Sequence, residues 1–458
     1  MTAELSLPRE AGLPLRTLLA FSLGSAPISA ASVAVSVYLP PYFSGHLGVS
    51  MAMVGAVWML VRLADIPVDV GLALAMDRTT TPIGRYRPWL LAAAPITAFA
   101  FWRLFMAPAH FSAGYLAVAL LALYLGYSTN GLSTSAWGAS LARTYHGRSR
   151  LFGIQTAVGI LGAVGVLLVP ILRRGPGVSD ASNVVMMGMS MVVLTPICAL
   201  IASLGTPDRP LRLAPLSAAS PRPWRDVLDV LTKPDLLRLF LSSLCLALGP
   251  GWMSALYIFY FTKNRGYTSQ QASILLAIYI LAGVPGALGG SAAARRIGKH
   301  RTLMVSTSAY SIALCSVLII PKGSMLVGIP LMAFNGAMAA TFGMMIQAML
   351  ADVGDEVRLD QGRERMSLVY ALNGLAAKLA AAFSIGFSLP LLQALGFDPR
   401  DGAVNTPAAM NHLAVAFLSG PIVFVMLGGA CVIGWRMDAK RQASIRAQLD
   451  AREEGLIA

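Results

Sequence analysis

Charge is what this chain is short of. Only 12% of its 458 residues are Asp, Glu, Lys or Arg, about half of the roughly 25% that covers a water-soluble domain. A soluble globular protein of this length is excluded. Cysteine is scarce as well. Cys198, Cys245, Cys315 and Cys431 all lie in apolar runs without the paired spacing of a metal site or disulfide framework, and they read as small core residues. The five histidines are scattered without ligand spacing, so no metal is expected beyond a sodium ion that acids could hold. The Gly-rich run GVPGALGG, Gly283–Gly290, lacks the Lys-Ser/Thr ending of a phosphate loop and reads as close helix packing. Met186, Met187, Met189 and Met191 read as filler rather than a copper box. No segment outside the apolar runs exceeds about 30 residues, and no nucleophile stands beside a base. The expectation is a protein that is not an enzyme and carries no cofactor.

What the chain has is apolar length. Hydrophobic residues make up 56%, broken into runs long enough to cross roughly 30 Å of hydrocarbon. Twelve are visible, at about 17–43, 51–76, 89–108, 113–142, 151–172, 185–204, 236–262, 271–292, 302–321, 325–350, 366–395 and 413–435. These predict an all-α membrane protein of twelve transmembrane helices whose surrounding partner is the lipid bilayer. The net charge of +14 raises the question of nucleic acid, and its placement answers it. Counting from the N-terminus, 26 of the 35 Lys and Arg residues lie in the terminal arms and even-numbered loops, against six in the odd-numbered loops. That is the positive-inside pattern, placing both termini in the cytoplasm. The basic excess sets topology, and no nucleic acid is expected. Residues 1–16 carry Glu4, Pro8, Arg9 and Glu10 ahead of a run too long for a cleaved signal peptide, so a cytoplasmic arm is expected there.

After the sixth run the composition shifts. GTPDRPLRLAPLSAASPRPWRDVLDVLTKPD, Gly205–Asp235, is rich in Pro, Ala, Ser and Arg, cannot stay in hydrocarbon and resists forming one continuous helix. It divides the chain into an N-terminal six-helix bundle (1–204), a cytoplasmic linker (205–235) and a C-terminal six-helix bundle with its tail (236–458). PIGRYRP after run 2 is echoed by RIGKHRT after run 8, with Ile83-Gly84-Arg85 matching Ile297-Gly298-Lys299. Parallel repeats around a central site are a transporter architecture.

Run 2 carries VRLADIPVD, with Arg62, Asp65 and Asp69 at helical spacing. Steps of three and four residues put all three on one face. Pro67 cannot donate a backbone hydrogen bond, which frees the carbonyl of Leu63. Two carboxylates near a free carbonyl suit Na⁺ or a shared proton, and intramembrane acids mark ion paths; an internally neutralised packing site is the plainer alternative. One other run has a charge near its middle, Lys378 in YALNGLAAKLAAAFS. Counting about 1.5 Å per residue, Lys378 lies at a depth overlapping Asp65 and Asp69, which predicts that they face one another. Arg103 lies near the outer end of run 3, where its side chain would reach for the interface. YSTNGLSTSAW, Tyr127–Trp137, offers a polar stripe to a cavity, or hydroxyls that bond back to their own helix.

These motifs resemble the glycoside–pentoside–hexuronide:cation symporter family of the major facilitator superfamily, whose familiar member is melibiose permease. RLADIPVD is similar to its second-span motif, DRTTTPIGRYRPW to its 2–3 hairpin, and YHGRSRLFG to its 4–5 hairpin. ADVGDEVRLDQGRERMSLVYALNGLAAK is similar to the segment entering span 11, and GFDP to the 11–12 loop. The resemblance implies a major facilitator fold of two six-helix bundles in the inner membrane. It implies Asp65, Asp69 and Ser128 as cation ligands. It points to Arg62, Tyr127, Asn130, Trp137, Gln155, Asn373 and Lys378 as substrate residues. It places Asp77, Arg78, Gly84, Arg85, Arg87, Asp352, Asp355 and Arg363 in the cytoplasmic gating motifs. The departures are specific. SLGSAPIS in span 1 lacks the Asp of sugar-carrying members, Asn130-Gly131 stand where span 4 often has another, Gln155 replaces a span-5 Arg, and Val68 replaces an amide between the acids.

The expectation is a cation-coupled symporter working by alternating access on a sugar, glycoside or related small solute. An amphiphile such as a lysolipid on the same fold, and a non-transporting receptor or scaffold, stay open. The midplane acids speak against the scaffold. The coupling ion is H⁺ or Na⁺, with H⁺ favoured because Val68 supplies no oxygen and a proton needs only a carboxylate. Nothing calls for a partner chain, so a monomer is expected.

Overall fold

A computed structural model of the chain describes residues 13–108, 111–141, 145–173, 178–208, 234–319, 321–361, 366–435, 437, 441–445, 447–449 and 451. Twelve long helices and no strands are found among them. They are α1 (Leu15–His46), α2 (Met51–Arg78), α3 (Arg87–Phe105), α4 (Ala113–Leu141), α5 (Tyr145–Leu172), α6 (Asp180–Gly205), α7 (Pro234–Asn264), α8 (Ser269–Ile297), α9 (Lys299–Ser316), α10 (Met325–Gln361), α11 (Met366–Ala394) and α12 (Pro407–Ala430). Eleven are long and apolar enough to cross a membrane. The exception is α9, expected from the sequence as an apolar run at 302–321. It starts earlier, at Lys299, and ends at Ser316 with one tighter turn to Ile319. Its first turn carries Lys299 and Arg301, and Thr302, Ser306, Thr307 and Ser311 along it are buried, so its polarity is turned inward.

Two other boundaries move for local reasons. α6 begins at Asp180 rather than 185 because the Ser179 hydroxyl accepts from Ser182 N–H and caps the helix. α10 runs on past the apolar stretch to Gln361. Elsewhere Ser50 caps α2, Thr268 and Gln271 form a reciprocal capping box on α8, and Thr406 caps α12.

The packing order is the same in the first six and last six helices. α1 packs on α5 and α6 as α7 packs on α11 and α12, and α2 lies against α4 as α8 lies against α10. Between the sixes run three seams, α2 with α11, α5 with α8 and α1 with α7. Along the α2–α11 seam small residues bring the chains together. A Cβ on Gly55 would meet Pro390 at 2.7 Å, and one on Gly386 would meet Met59 at 2.7 Å. Ala52 N–H donates to the Gln393 side-chain oxygen at 2.7 Å farther along. Beyond that, His46 pairs with Asp401 at 3.2 Å, Tyr38 O–H shares a 2.7 Å hydrogen bond with Ser273, and Ser269 donates to Asp180 at 2.6 Å. The seam is therefore closed from the middle of α2 to the end opposite the 2–3 and 8–9 hairpins.

Candidate functional site

Where that closed seam ends, Lys378 of α11 reaches across to α2. Its Nζ lies 2.7 Å from Asp65 Oδ2 and 2.5 Å from Asp69 Oδ2. Asp65 Oδ1 accepts from the Ser128 hydroxyl of α4 at 3.0 Å, and Lys378 Nζ lies 3.4 Å from the same oxygen atom of Ser128. Arg62, one turn away on α2, places Nη1 3.4 Å from Asp65 Oδ2. The four charges sum to zero. Neutrality is what such a cluster needs, since each charge alone would cost about 2.5–3.5 kcal/mol at a bilayer centre. The two acids are not equivalent. The Asp65 side chain is 1% exposed and that of Asp69 26%, so Asp65 is the enclosed anchor and Asp69 the more accessible of the two. Asp69 Oδ1 is buried and has no hydrogen-bond partner among the described residues, which leaves an acceptor of the cluster unsatisfied.

Arg62 is held by an element the sequence did not single out. Its guanidinium lies 4.1 Å over the Tyr124 ring, and the Tyr124 hydroxyl accepts from Trp58 Nε1 at 2.9 Å. A tyrosine in an apolar span reads as core, and only its position one turn before Ser128, on the face toward α2, could have distinguished it. Tyr127 lies near Arg62 and near Ser32 of α1.

The other expected substrate residues scatter. Nine residues along a helix make about two and a half turns, so Trp137 points away from Ser128. It packs edge-on against Phe21 at 5.7 Å and its indole N–H donates to Pro207 O at 3.3 Å. Asn130, also turned away, lines a small void with Thr97 and Thr195. Gln155 meets the first span through its backbone, its carbonyl accepting from Ser25 at 3.1 Å. Asn373 lies toward the hairpin side of Lys378 on α11, and its Oδ1 accepts from Ser243 of α7.

The hairpin residues form two separate clamps. Asp208, just past the end of α6 and not singled out by sequence, accepts from Tyr86 N–H at 2.8 Å and Arg87 N–H at 3.1 Å. Gly84, at φ +121°, gives that carboxylate room. Arg87 donates to Thr206 O at 2.6 Å and Arg85 to Met76 O at 3.2 Å. On the other side Lys299 grips both oxygens of Asp352 at 2.6 and 2.8 Å. Arg78 is exposed in the last turn of α2, and Asp355 lies near Tyr370. Asp77 has its backbone in α2, its side chain lying outside the described set, and Arg363 lies outside the described residues. Arg103 stacks over Tyr115 at 4.6 Å near the end of α3.

A family model described as "MFS/sugar transport protein" matches residues 20–438. The isoprimeverose transporter of Lactiplantibacillus pentosus is 23% identical over 434 residues, covering 91% of this chain and 88% of that one. The glucuronide carrier protein homolog of Escherichia coli (strain K12) is 22% identical over 459 residues, covering 96% and 97%. Among solved structures, a point mutant of the nucleoside transporter NupG superposes with a TM-score of 0.70 at 14% identity, covering 92% of this chain and 99% of that one. A bacterial homolog of the human lysosomal transporter Spinster, inward-facing and unoccupied, gives 0.62 at 13% identity, covering 95% and 97%. These two likenesses fix the fold as that of the major facilitators. The chain is a multi-pass membrane transporter, not an enzyme, and it belongs to the MFS/sugar transport protein family, among the glycoside–pentoside–hexuronide:cation type of symporters.

Proposed function

We propose that this symporter couples H⁺ entry to uptake of a neutral glycoside through Asp65 and Asp69. The observation that carries the reading is Lys378 bridging both carboxylates, at 2.7 and 2.5 Å, while Asp69 Oδ1 has no donor among the described residues. The lysine ammonium stands where a coupling cation would bind. A cation arriving at Asp69 displaces Lys378, which the flexible four-carbon stem allows, and the freed ammonium then offers donors to a substrate hydroxyl. Substrate is thus favoured after the cation, which is the order a symporter requires. Ser128 and Arg62 hold Asp65 through the exchange. A proton fits better than Na⁺, because Val68 beside Asp69 contributes no side-chain oxygen.

Neutral rings fit the departures from sugar-carrying members, since Asn130-Gly131 and Gln155 carry no charge where those members often have an Asp and an Arg. Residues 1–204 and 236–458 act as the two rocking bundles and 205–235 as their cytoplasmic tether, with both termini in the cytoplasm of an inner-membrane monomer. The 26-to-six split of loop cations supports that orientation. On it, the closed seam faces outward and the site is poised toward the cytoplasm.

Purified chain in proteoliposomes tests this directly. An inward pH gradient should drive accumulation of isoprimeverose or a neutral methyl glycoside above its external concentration, with no requirement for Na⁺. Accumulation that follows a sodium gradient at fixed pH would overturn the ion, and preferential accumulation of a glucuronide would overturn the substrate class.

A further inference from the structure

A second cavity, of about 270 Å³, lies at the end of the bundle opposite the hairpins and straddles the two sets of six helices. α1, α5 and α6 line one side, and α7, the start of α8 and the 11–12 loop the other. Its innermost wall includes Tyr38. Ser32, which lies near Tyr127 beside the charge cluster, is six residues earlier on α1, or about 9 Å deeper. The cavity is therefore a separate chamber over the central site, closed from it by the Tyr38–Ser273 hydrogen bond.

Its wall is built to bind. Asn183 is 8% exposed, yet its Oδ1 has no hydrogen-bond partner among the described residues and the residue lines the chamber. Asp180 accepts one hydroxyl, from Ser269 at 2.6 Å, and Asp401 meets His46 at 3.2 Å. Each carboxylate keeps acceptor capacity beyond that one contact. Lys263 adds a donor with no ion-pair partner among the described residues. Tyr42, stacked on His46 at 5.7 Å and 25°, supplies a flat apolar wall. Three acceptor groups, one ammonium and an aromatic face suit a ring bearing several hydroxyls and no charge. Two carboxylates against one lysine disfavour an anion. The volume lies just under the roughly 300 Å³ at which drug-sized pockets begin, room for a single pyranose ring.

We propose that this chamber is a staging site for a neutral pyranoside, occupied before the seam opens to the central site. The choice of ligand rests on the glycoside reading above; the chamber and its unspent acceptor do not.

The test places a reporter in the wall. Thr262 is another lining residue, and Thr262→Cys is made in the full chain, purified into nanodiscs. Alkylation by a polar maleimide is then timed with and without methyl β-D-glucopyranoside or methyl β-D-xylopyranoside, the unsubstituted chain giving the background from its own cysteines. Saturating glycoside should slow alkylation of the introduced thiol at least five-fold, and methyl glucuronide should not. Asn183→Leu or Asp401→Asn should abolish the protection, whereas Lys378→Met, which disables the central site, should leave it. No protection by either glycoside, protection that survives both wall substitutions, or protection lost in Lys378→Met would each overturn the staging site. Failure of gradient-driven uptake with protection intact would instead retire only the coupling reading.

Discussion

Shifting the sequence from Tyr42, near the end of α1, through α2 forward by 218 residues lays it on the end of α7 and on α8. Tyr42-Phe43 falls on Tyr260-Phe261, Gly48 on Gly266 with φ of +69° and +68°, the cap Ser50 on Thr268, Pro67 on Pro285 and Gly71 on Gly289. Both preceding helices end in π-helical turns, at Tyr42–His46 and Phe259–Asn264. In this register Arg62, Asp65 and Asp69 fall on Ile280, Gly283 and Ala287. The neighbours differ accordingly. α8 meets α10 backbone to backbone: a Cβ on Gly286 would collide with Ala337 O, and one on Gly336 with Tyr279 O. α2 meets α4 through the Asp65–Ser128 hydrogen bond and the Arg62–Tyr124 stack. One position in the fold thus works with charges and without them. The fold needs the cap, the proline and a partner helix; it does not need the charges.

The contrast breaks most sharply at the carboxylates. Asp65→Asn should still insert, because its repeat partner Gly283 shows that the helix needs no charge there and Asn can still accept from Ser128. It should lose some stability as Lys378 and Arg62 lose a partner. Uphill accumulation should fall at least ten-fold, to equilibration, while downhill exchange of substrate persists. Asp69→Asn should do the same. Normal gradient-driven accumulation by either variant would remove that residue from the coupling site.

Next comes Lys378. Replacing it by Met leaves two carboxylates without their 2.7 and 2.5 Å partner, and breaking a buried pair costs about 3–5 kcal/mol. Lys378→Met should therefore lose roughly ten-fold in gradient-driven uptake and some stability. Lys378→Arg, which keeps the charge, should lose less of both. Full accumulation by Lys378→Met would show that the lysine serves neither cation nor substrate.

That three residues on two distant spans could be paired from sequence follows from two facts: helical rise converts numbering to depth, and hydrocarbon makes a lone charge expensive. Lys378, Asp65 and Asp69 were legible for those reasons. Tyr124 was not, because an aromatic in a span needs no explanation until a guanidinium is found on it. The polar stripe from Tyr127 to Trp137 left two readings open because polarity along a helix does not say which residues share a face. Ser128 reaches α2, Thr129, Ser133 and Thr134 bond back to their own helix, and Asn130 and Trp137 turn away. Asp208 was hidden in a linker rich in other polar residues. The twelve helices were legible from apolar length, and α9 strained that rule because its polar residues face inward. The repeat of α1–α2 in α7–α8 stayed hidden because its matching residues are mostly turn and cap positions, too few and too common to notice without the geometry.

The reverse swap sharpens the comparison from the side of α8. Gly286→Val gives α8 the residue that α2 has at Val68. The nearest neighbours of that Cβ are backbone atoms of Ala337, which cannot yield as a side chain would. Overpacking of this kind costs about 1–3 kcal/mol or more, so the yield of folded protein should drop several-fold. Val68→Gly, at a half-buried position, should lower it far less. Equal losses would mean that α2 and α8 pack under the same constraint.

The smallest effects are expected at the two hairpin glycines, where the halves share a conformation but not an environment. Gly84 and Gly298 sit at φ of +121° and +89°, where a side chain is strained by about 1–3 kcal/mol. At Gly298 the nearest atoms to an added Cβ belong to the His300 ring, at 3.7 Å, so alanine there meets backbone strain and little else. At Gly84 the Cβ would fall on the Asp208 carboxylate, displacing it from Tyr86 and Arg87 N–H. Two hydrogen bonds worth about 0.5–1.5 kcal/mol each are then at stake as well. Gly84→Ala should destabilise more than Gly298→Ala in thermal unfolding of the purified protein. Non-additivity identifies the cause. Asp208→Ala should add almost nothing to Gly84→Ala, whose alanine has already evicted the carboxylate, yet take its full toll on top of Gly298→Ala. Additive losses in both backgrounds would show that the clash at Gly84 is relieved without releasing Asp208, and that the two hairpins differ in sequence alone.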